Sequence, residues 1–528
     1  MKWIIKWQER LQHIFRVFSS IAFCGLRCIL CNTLGFHFLG DFIVNSFLFR
    51  VVTDMAMAAI MAIPCFGSLS DGNIALGQDR DSTASDIAVA NAATEAMKKA
   101  TAFMTSQVAV HGGYVYDVTL DLKTRRGEGA ATATEIWVQP PGTPTVGVAL
   151  IRAFEATNEQ VFLDAATQCA QALMHGQLES GCWTDRVDFD PKGKNAGLYR
   201  HQKGNAKGRN YSTLDDDKSQ SALRLLIEVD RSHGFKNEAI HEAVTYGLEA
   251  LLKAQFANGG FPQGWGKPVE PGIVVKASFP KYEWRTDGKF KNYWDFETLN
   301  DGLSGTVTKT LQLAYETYRD ERYRNAMLQF GDFLILAQLP EPQPAWAQQY
   351  NHMLQPIWAR KFEPPAIAGR ESEDAIETLL YLTAITGDQK FLAPIPDAIR
   401  WLKRSMLPDG QIARFYELET NRPLYLTKDD YTLTYDDAKV PTHYSFKSKC
   451  NVMKLEASYQ ALAKRELPRE SKKNLKSLRQ DADRILRELD SEGRWISNKM
   501  LLESALFSKN LTLLAEFVAA TKSTKKSP

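Results

Sequence analysis

The 528-residue sequence has little charge imbalance: 64 Lys and Arg stand against 62 Asp and Glu, a formal net charge of +2. That excludes binding of nucleic acid through a basic field. Cysteine is scarce. Seven occur, at positions 24, 28, 31, 65, 169, 182 and 450. Only Cys169, Cys182 and Cys450 fall past residue 80, which predicts no essential disulfide framework. Cys24, Cys28 and Cys31 are close enough to share a metal, but the apolar stretch around them has no globular pattern, which argues against one. The chain also lacks a G-x-S-x-G elbow, an H-E-x-x-H pair, a Walker loop, a dinucleotide fingerprint and an EF-hand loop. A clean spanning run is missing too. Residues 14–49 are apolar but broken by Arg16, Arg27, Asn32, His37 and Asp41, a poor membrane helix.

A shorter apolar run does exist at 55–69, after Arg50 and before small and polar residues. It reads as a signal-peptide core with processing within 67–78. A translation start near Met55 and a non-cleaved anchor are the alternatives. The expectation is an exported protein, periplasmic or secreted, or one anchored through this segment. Residues 1–80 are thus an N-terminal segment, 81–465 the main domain and 466–528 a charged helical tail ending in a disordered TKSTKKSP. The hydrophobic content of 44% and the aromatic content of 11% describe a globular chain. The eleven Trp and eighteen Tyr suit sugar rings as well as a core.

From Asp86 onward the pattern is helical and it repeats. Gln107, Gln177, Gln255 and Gln338 each lead a turn, at a spacing of about 70–85 residues, longer than common solenoid periods. Between these marks lie pairs of amphipathic helices: 145–156 with 159–175, 219–230 with 237–253, 306–318 with 323–336, and 374–385 with 391–403. Apolar residues fall at three- and four-residue steps, as in Leu223, Leu226 and Ile227. Each pair buries a face only by stacking on its neighbours. Hairpins repeated around a ring give an all-α fold, an incomplete α/α toroid, with an open solenoid as the other possibility. The long turns all follow the second helix of a pair, so they gather at one end and form a cleft. Residues 426–450 read as irregular or short-strand structure over that cleft, and 451–464 as a last helix.

Two sets of residues stand out for chemistry. Asp215, Asp216 and Asp217 precede a helix, and Asp301 follows Asn300 at the start of another. One acid suffices to cap a helix. Three adjacent acids repel unless a cation is present, and carboxylates on separate loops suit a hard cation such as calcium. The acids also leave hydrolysis by facing carboxylates open. The second set is basic: Arg360, Lys361, Arg370, Arg414, Arg422 and Lys428. Singly these are ordinary surface charges. Together, near aromatic turns, they suit a polyanion of sugar rings, because a guanidinium matches a carboxylate bidentately. Trp265, Tyr293, Trp294, Trp346 and Trp358 are candidate sugar platforms or core.

Arg360 lies in a stretch unlike the helices on either side, PAWAQQYNHMLQPIWARKFEPPAIAGRESE at 344–373, kept rigid by Pro356, Pro364 and Pro365. Its segments WAQQYN and WARKFEPPAIAGRES closely resemble the signature of pectate lyases of polysaccharide lyase family ten. STLDDDKSQSAL at 212–223, NGGFPQGW at 258–265 with TLNDG at 298–302, and IARFYELETNRPLYLT at 412–427 match the same family in order. The resemblance covers roughly 112–462. It implies calcium held by Asp215, Asp216 and Asp301, and β-elimination of polygalacturonate with Arg360 as the base and Arg370 as fallback. Arg414 and Arg422 would grip flanking carboxylates, with Lys361, Arg370 and Trp358 as further substrate contacts. An arginine base needs burial or nearby positive charge, expected here from calcium and Lys361. The chain is expected to act as a monomer. The other readings are a hydrolase of unsaturated uronides on an α/α barrel, and a non-catalytic pectin-binding envelope protein.

Overall fold

A computed structural model describes residues 75–201, 207–466 and 473–524. The expected signal run at 55–69 and Cys24, Cys28 and Cys31 lie outside the described residues. Among the described residues no helix is long and apolar enough to cross a membrane. Twelve α-helices occur in them: α1 (Ala75–Phe103), α2 (Thr143–Thr157), α3 (Gln160–His175), α4 (Lys218–Ser232), α5 (Glu238–Lys253), α6 (Leu303–Tyr318), α7 (Glu321–Ala337), α8 (Gly369–Thr386), α9 (Ile395–Ser405), α10 (Val452–Ala463), α11 (Leu475–Glu488) and α12 (Ser504–Thr524).

The hairpins are α2/α3, α4/α5, α6/α7 and α8/α9. In three of them the turn is tight because a left-handed residue ends the first helix: Asn158 at φ 63°, Arg319 at φ 58° and Gly387 at φ 73°. Asn237 and Asp320 then cap the next helix by accepting from the backbone N–H groups of Ile240 and Arg322. The first helices pack in sequence, α12 on α2, α2 on α4, α4 on α6, α6 on α8 and α8 on α10, and make the inner wall of an incomplete α/α toroid. Leu223, Leu226, Val307, Leu311, Ile376 and Leu379 fill it and are fully buried.

The glutamine marks have a structural reason. The Gln177 side-chain amide donates to the carbonyls of Gly181 in its own turn and Ala243 in α5, at 2.8 and 2.9 Å. Gln255 does the same with Gly259 and Ala326 of α7, and Gln338 with Pro344 and with Pro394 just before α9. Each mark stitches a turn to the second helix of the next hairpin. Gln107 makes no such stitch and bonds only to Ser106.

Residues Arg80–Pro528 form one compact unit. Where the sequence reads as a charged tail after 465, the structure has packed helices. α12 buries Phe507, Leu511, Leu514, Phe517 and Val518, and it packs against α2. The preceding strand, Leu501–Glu503, pairs antiparallel with Asp117–Thr119, which follows α1. The charges that suggested a tail occupy the solvent sides of α11 and α12. TKSTKKSP begins inside α12, and its last four residues lie outside the described ones.

Candidate active site

The connections after α3, α5, α7 and α9 lie at the end where α4, α6 and α8 begin, so that end carries the irregular structure. Strands 367–368, 415–416, 423–426 and 433–434 form a small antiparallel sheet there, and 447–449 pairs with 411–413.

Two of these connections are built alike. Thr213-Leu214-Asp215-Asp216-Asp217 leads into α4, and Thr298-Leu299-Asn300-Asp301-Gly302 leads into α6. In each, the threonine hydroxyl accepts from the N–H two residues on, at 3.1 Å. In each, the leucine N–H donates to a glutamine carbonyl of a neighbouring turn, Gln263 or Gln348. A short 3-10 turn follows, with Asp216 at φ 48° and Asp217 at φ 61° in one, and Asp301 at φ 51° and Gly302 at φ 68° in the other. Aspartate is one of the few residues that tolerates this left-handed backbone. The Gln220 side chain links the first turn to α6 by donating to the Leu214 carbonyl and to the Thr306 hydroxyl, at 2.8 and 3.0 Å.

The turns bring Asp215, Asp216 and Asp301 together. One carboxylate oxygen of each lies within 4.8 Å of the other two. Their surroundings differ. Burial penalises the charge of Asp215, but the Lys218 ammonium at 2.7 Å outweighs it and holds the carboxyl below its ordinary value, while Gln263 donates to its other oxygen at 2.7 Å. Asp216 is raised by burial and by Asp215. Burial, with Asp216 and Asp215 close by, pushes Asp301 up to about 8. A carboxyl so placed asks for a cation. Buried Asn300 Oδ1 and Glu371 Oε2 accept no hydrogen bond, and Glu371 reaches Arg414, which itself lies 3.8 Å from Asp301. Three clustered carboxylates fit a calcium ion completed by water and substrate.

The arginines divide. Arg414 joins the site: it lies 3.1 Å from Glu371 and over the Tyr444 ring at 4.2 Å. Arg360 approaches the same group, with its guanidinium 5.6 Å from the Tyr444 ring centre and 5.0 Å from that of Phe362. Its electrostatic setting differs from expectation. Burial works against its charge, but Glu363, itself 2% exposed, pairs with it bidentately at 2.6 and 2.8 Å and drives the guanidinium above its ordinary value. Lys361 was to supply repulsion; it is exposed and sits over the Tyr431 ring instead, at 4.1 Å.

Arg370, in the first turn of α8, is held by Asp374 at 2.8 Å and lines a groove with Gly302, Thr306 and Lys309. Arg422 is exposed and stacks on Tyr435. Trp358 is 5% exposed and donates its indole N–H to the Trp284 carbonyl, with Lys289 over its ring, so it is a wall residue with little open face. Trp265 and Trp346 are buried too. Tyr293 and Trp294 do face an opening, a cavity of about 530 Å³ that Asp215, Lys218, Gln263 and Arg209 also line. A cavity of about 600 Å³ on the α2, α4 and α12 side holds none of the three acids.

Sequence reasoning passed over Tyr444, whose hydroxyl donates to Glu363 at 2.8 Å, and over Lys218. The duplicated T-L-[DN]-D pattern would have pointed to Lys218, the second residue after one copy. Nothing local marks Tyr444.

The model of the pectic acid lyase family matches residues 177–413. The resemblance to pectate lyases holds. The match contains Asp215, Asp216, Asp301, Arg360, Lys361 and Arg370 and stops one residue before Arg414, and it supports a lyase acting on polysaccharides. No curated protein matches the chain. Among solved structures, the chain is similar to a family 10 polysaccharide lyase from Cellvibrio cellulosa in complex with trigalacturonic acid, at 19% identity and a TM-score of 0.42, over 60% of this chain and 98% of that one. It is also similar to a cellobiose 2-epimerase from Bacillus thermoamylovorans, at 14% identity and a TM-score of 0.38, over 77% and 92% of the two chains.

Proposed function

We propose that this protein is a pectate lyase that cleaves polygalacturonate by β-elimination, with calcium at Asp215, Asp216 and Asp301, and releases 4,5-unsaturated oligogalacturonides. The supporting observation is the meeting of three carboxylates from two turns with Arg414 and Arg360 beside them, within or next to the pectic acid lyase match. When bound, calcium would neutralise the uronate carboxylate and stabilise the negative charge that develops beside it. Arg360 would take the C5 proton as a neutral guanidine. The C5–H electrons then form the C4–C5 double bond, and the C4–O bond breaks with its electrons leaving on the glycosidic oxygen, which takes up a proton. Arg414 holds a flanking carboxylate, with Arg422, Lys361 and Arg370 farther along the chain and Trp358 supporting the wall. The substrate reaches an exported monomer.

The Glu363 pairing favours a second reading for Arg360. A guanidinium already gripping one carboxylate is arranged to exchange it for a uronate carboxylate and to stay charged. The two roles separate kinetically. A base is typically worth about 100- to 10,000-fold in rate, so Arg360→Ala should lower kcat by that order with a smaller change in KM. A clamp predicts raised KM with kcat nearly intact. Arg360→Lys loses the planar fork and should rescue neither.

The function itself is tested by ultraviolet absorbance of the unsaturated sugar, with polygalacturonate and separately with its unsaturated oligomers. The lyase raises absorbance on polygalacturonate. A fall on the oligomers would assign an unsaturated-uronide hydrolase, and no change on either would assign a binder.

A further inference from the structure

Lys218 is the first residue of α4 and is 6% exposed. Its ammonium lies 2.7 Å from Asp215 and 3.6 Å from Asp216. At the matching place in the second turn stands Leu303, which carries no charge. A lysine ammonium is a compact charge on a flexible stem, and burying one is costly unless it is paired. Here it is paired with two of the three carboxylates that would hold a divalent cation.

The geometry points to Lys218 as a tethered cation that competes with calcium for the acidic cluster. This rests on the calcium site of the proposed function. Once all three carboxylates are ionised, they and the one ammonium leave two negative charges, which one divalent cation cancels. A calcium ion among the same oxygens meets the ammonium at close range, and like charges a few ångströms apart in a half-buried site repel strongly. Lys218 must then move off Asp215, into the cavity it lines with Gln263 and Tyr293. It therefore lowers calcium affinity and stabilises the metal-free cluster. A uronate carboxylate arriving at the site offsets the added positive charge, so calcium and polygalacturonate should bind with positive cooperativity.

The test is calorimetric titration of calcium chloride into the metal-stripped full chain, for wild type, Lys218→Met and Lys218→Gln, with melting curves in chelator and in calcium. Both variants should bind calcium at least tenfold tighter than wild type. In chelator they should melt below wild type, and calcium should close that gap. Equal or weaker binding by the variants would overturn the proposal, as would absence of binding by all three proteins. Variants that stay unfolded even with calcium present would overturn it too, because the ion then fails to replace the ammonium. Failure of the lyase reading looks different: no unsaturated product from wild type at saturating calcium, with the calcium titrations unaffected.

Discussion

The turns before α4 and α6 use one backbone device to different electrostatic ends. Both have a threonine hydroxyl under the turn, a leucine anchored to a neighbouring glutamine carbonyl, and an aspartate in the left-handed region. The neighbours differ. The first turn has Asp215 where the second has Asn300, and Lys218 where the second has Leu303. Lys218 holds Asp215 below its ordinary value, whereas burial beside Asp216 and Asp215 pushes Asp301 to about 8. Gln263 Nε2 bonds to Asp215 Oδ1 at 2.7 Å, whereas the counterpart atoms Gln348 Nε2 and Asn300 Oδ1 make no hydrogen bond. The backbone places the carboxylates; the residues on either side decide which of them is already neutralised and which awaits a cation. In these terms Asp301 is the acid of the three whose charge burial and its neighbours oppose most.

Removing that acid should have the largest effect. Asp301→Ala should lose activity by at least about 100-fold, the scale of losing a principal electrostatic element, and excess calcium should not fully restore it. Activity within a few-fold of wild type would erase the distinction between the turns.

A smaller effect should appear in stability against pH. The ordinary carboxyl value is 3.8 and Asp301 is raised to about 8. Between these values the folded metal-free chain keeps a proton that the unfolded chain has released, so stability falls as pH rises through about 4 to 8. Asp301→Asn should flatten that slope. Asp374, pushed to about 7 by burial, contributes the same slope to both proteins, so their difference in melting temperature reports Asp301 together with the Asp215 and Asp216 carboxylates beside it. Parallel melting curves across this range would contradict the assignment.

Much of the toroid was legible in the sequence because its signals are local. Three- and four-residue apolar steps gave the hairpins to within a few residues, and three of the four glutamine marks, Gln177, Gln255 and Gln338, fell where turns are stitched to the next hairpin. The last helices were misread because α11 and α12 carry their charges on one side, and sequence composition does not show that Phe507, Leu511 and Phe517 face α2. That Asp215, Asp216 and Asp301 cluster could be anticipated because acids at helix starts are conspicuous. The environment of Arg360 could not. Its partner Glu363 is only three residues away, but burial of that carboxylate depends on Tyr444, more than eighty residues on. Trp358 shows the same limit, since an aromatic in a loop reads alike whether its face is open or packed.

On the proposed function, the paired turns hold a cation that the elimination needs. The direct measurement is the rate of unsaturated product from polygalacturonate by metal-stripped protein in chelator, followed by return of calcium in excess. The account predicts essentially no product in chelator and recovery with calcium. Full activity in chelator would contradict it.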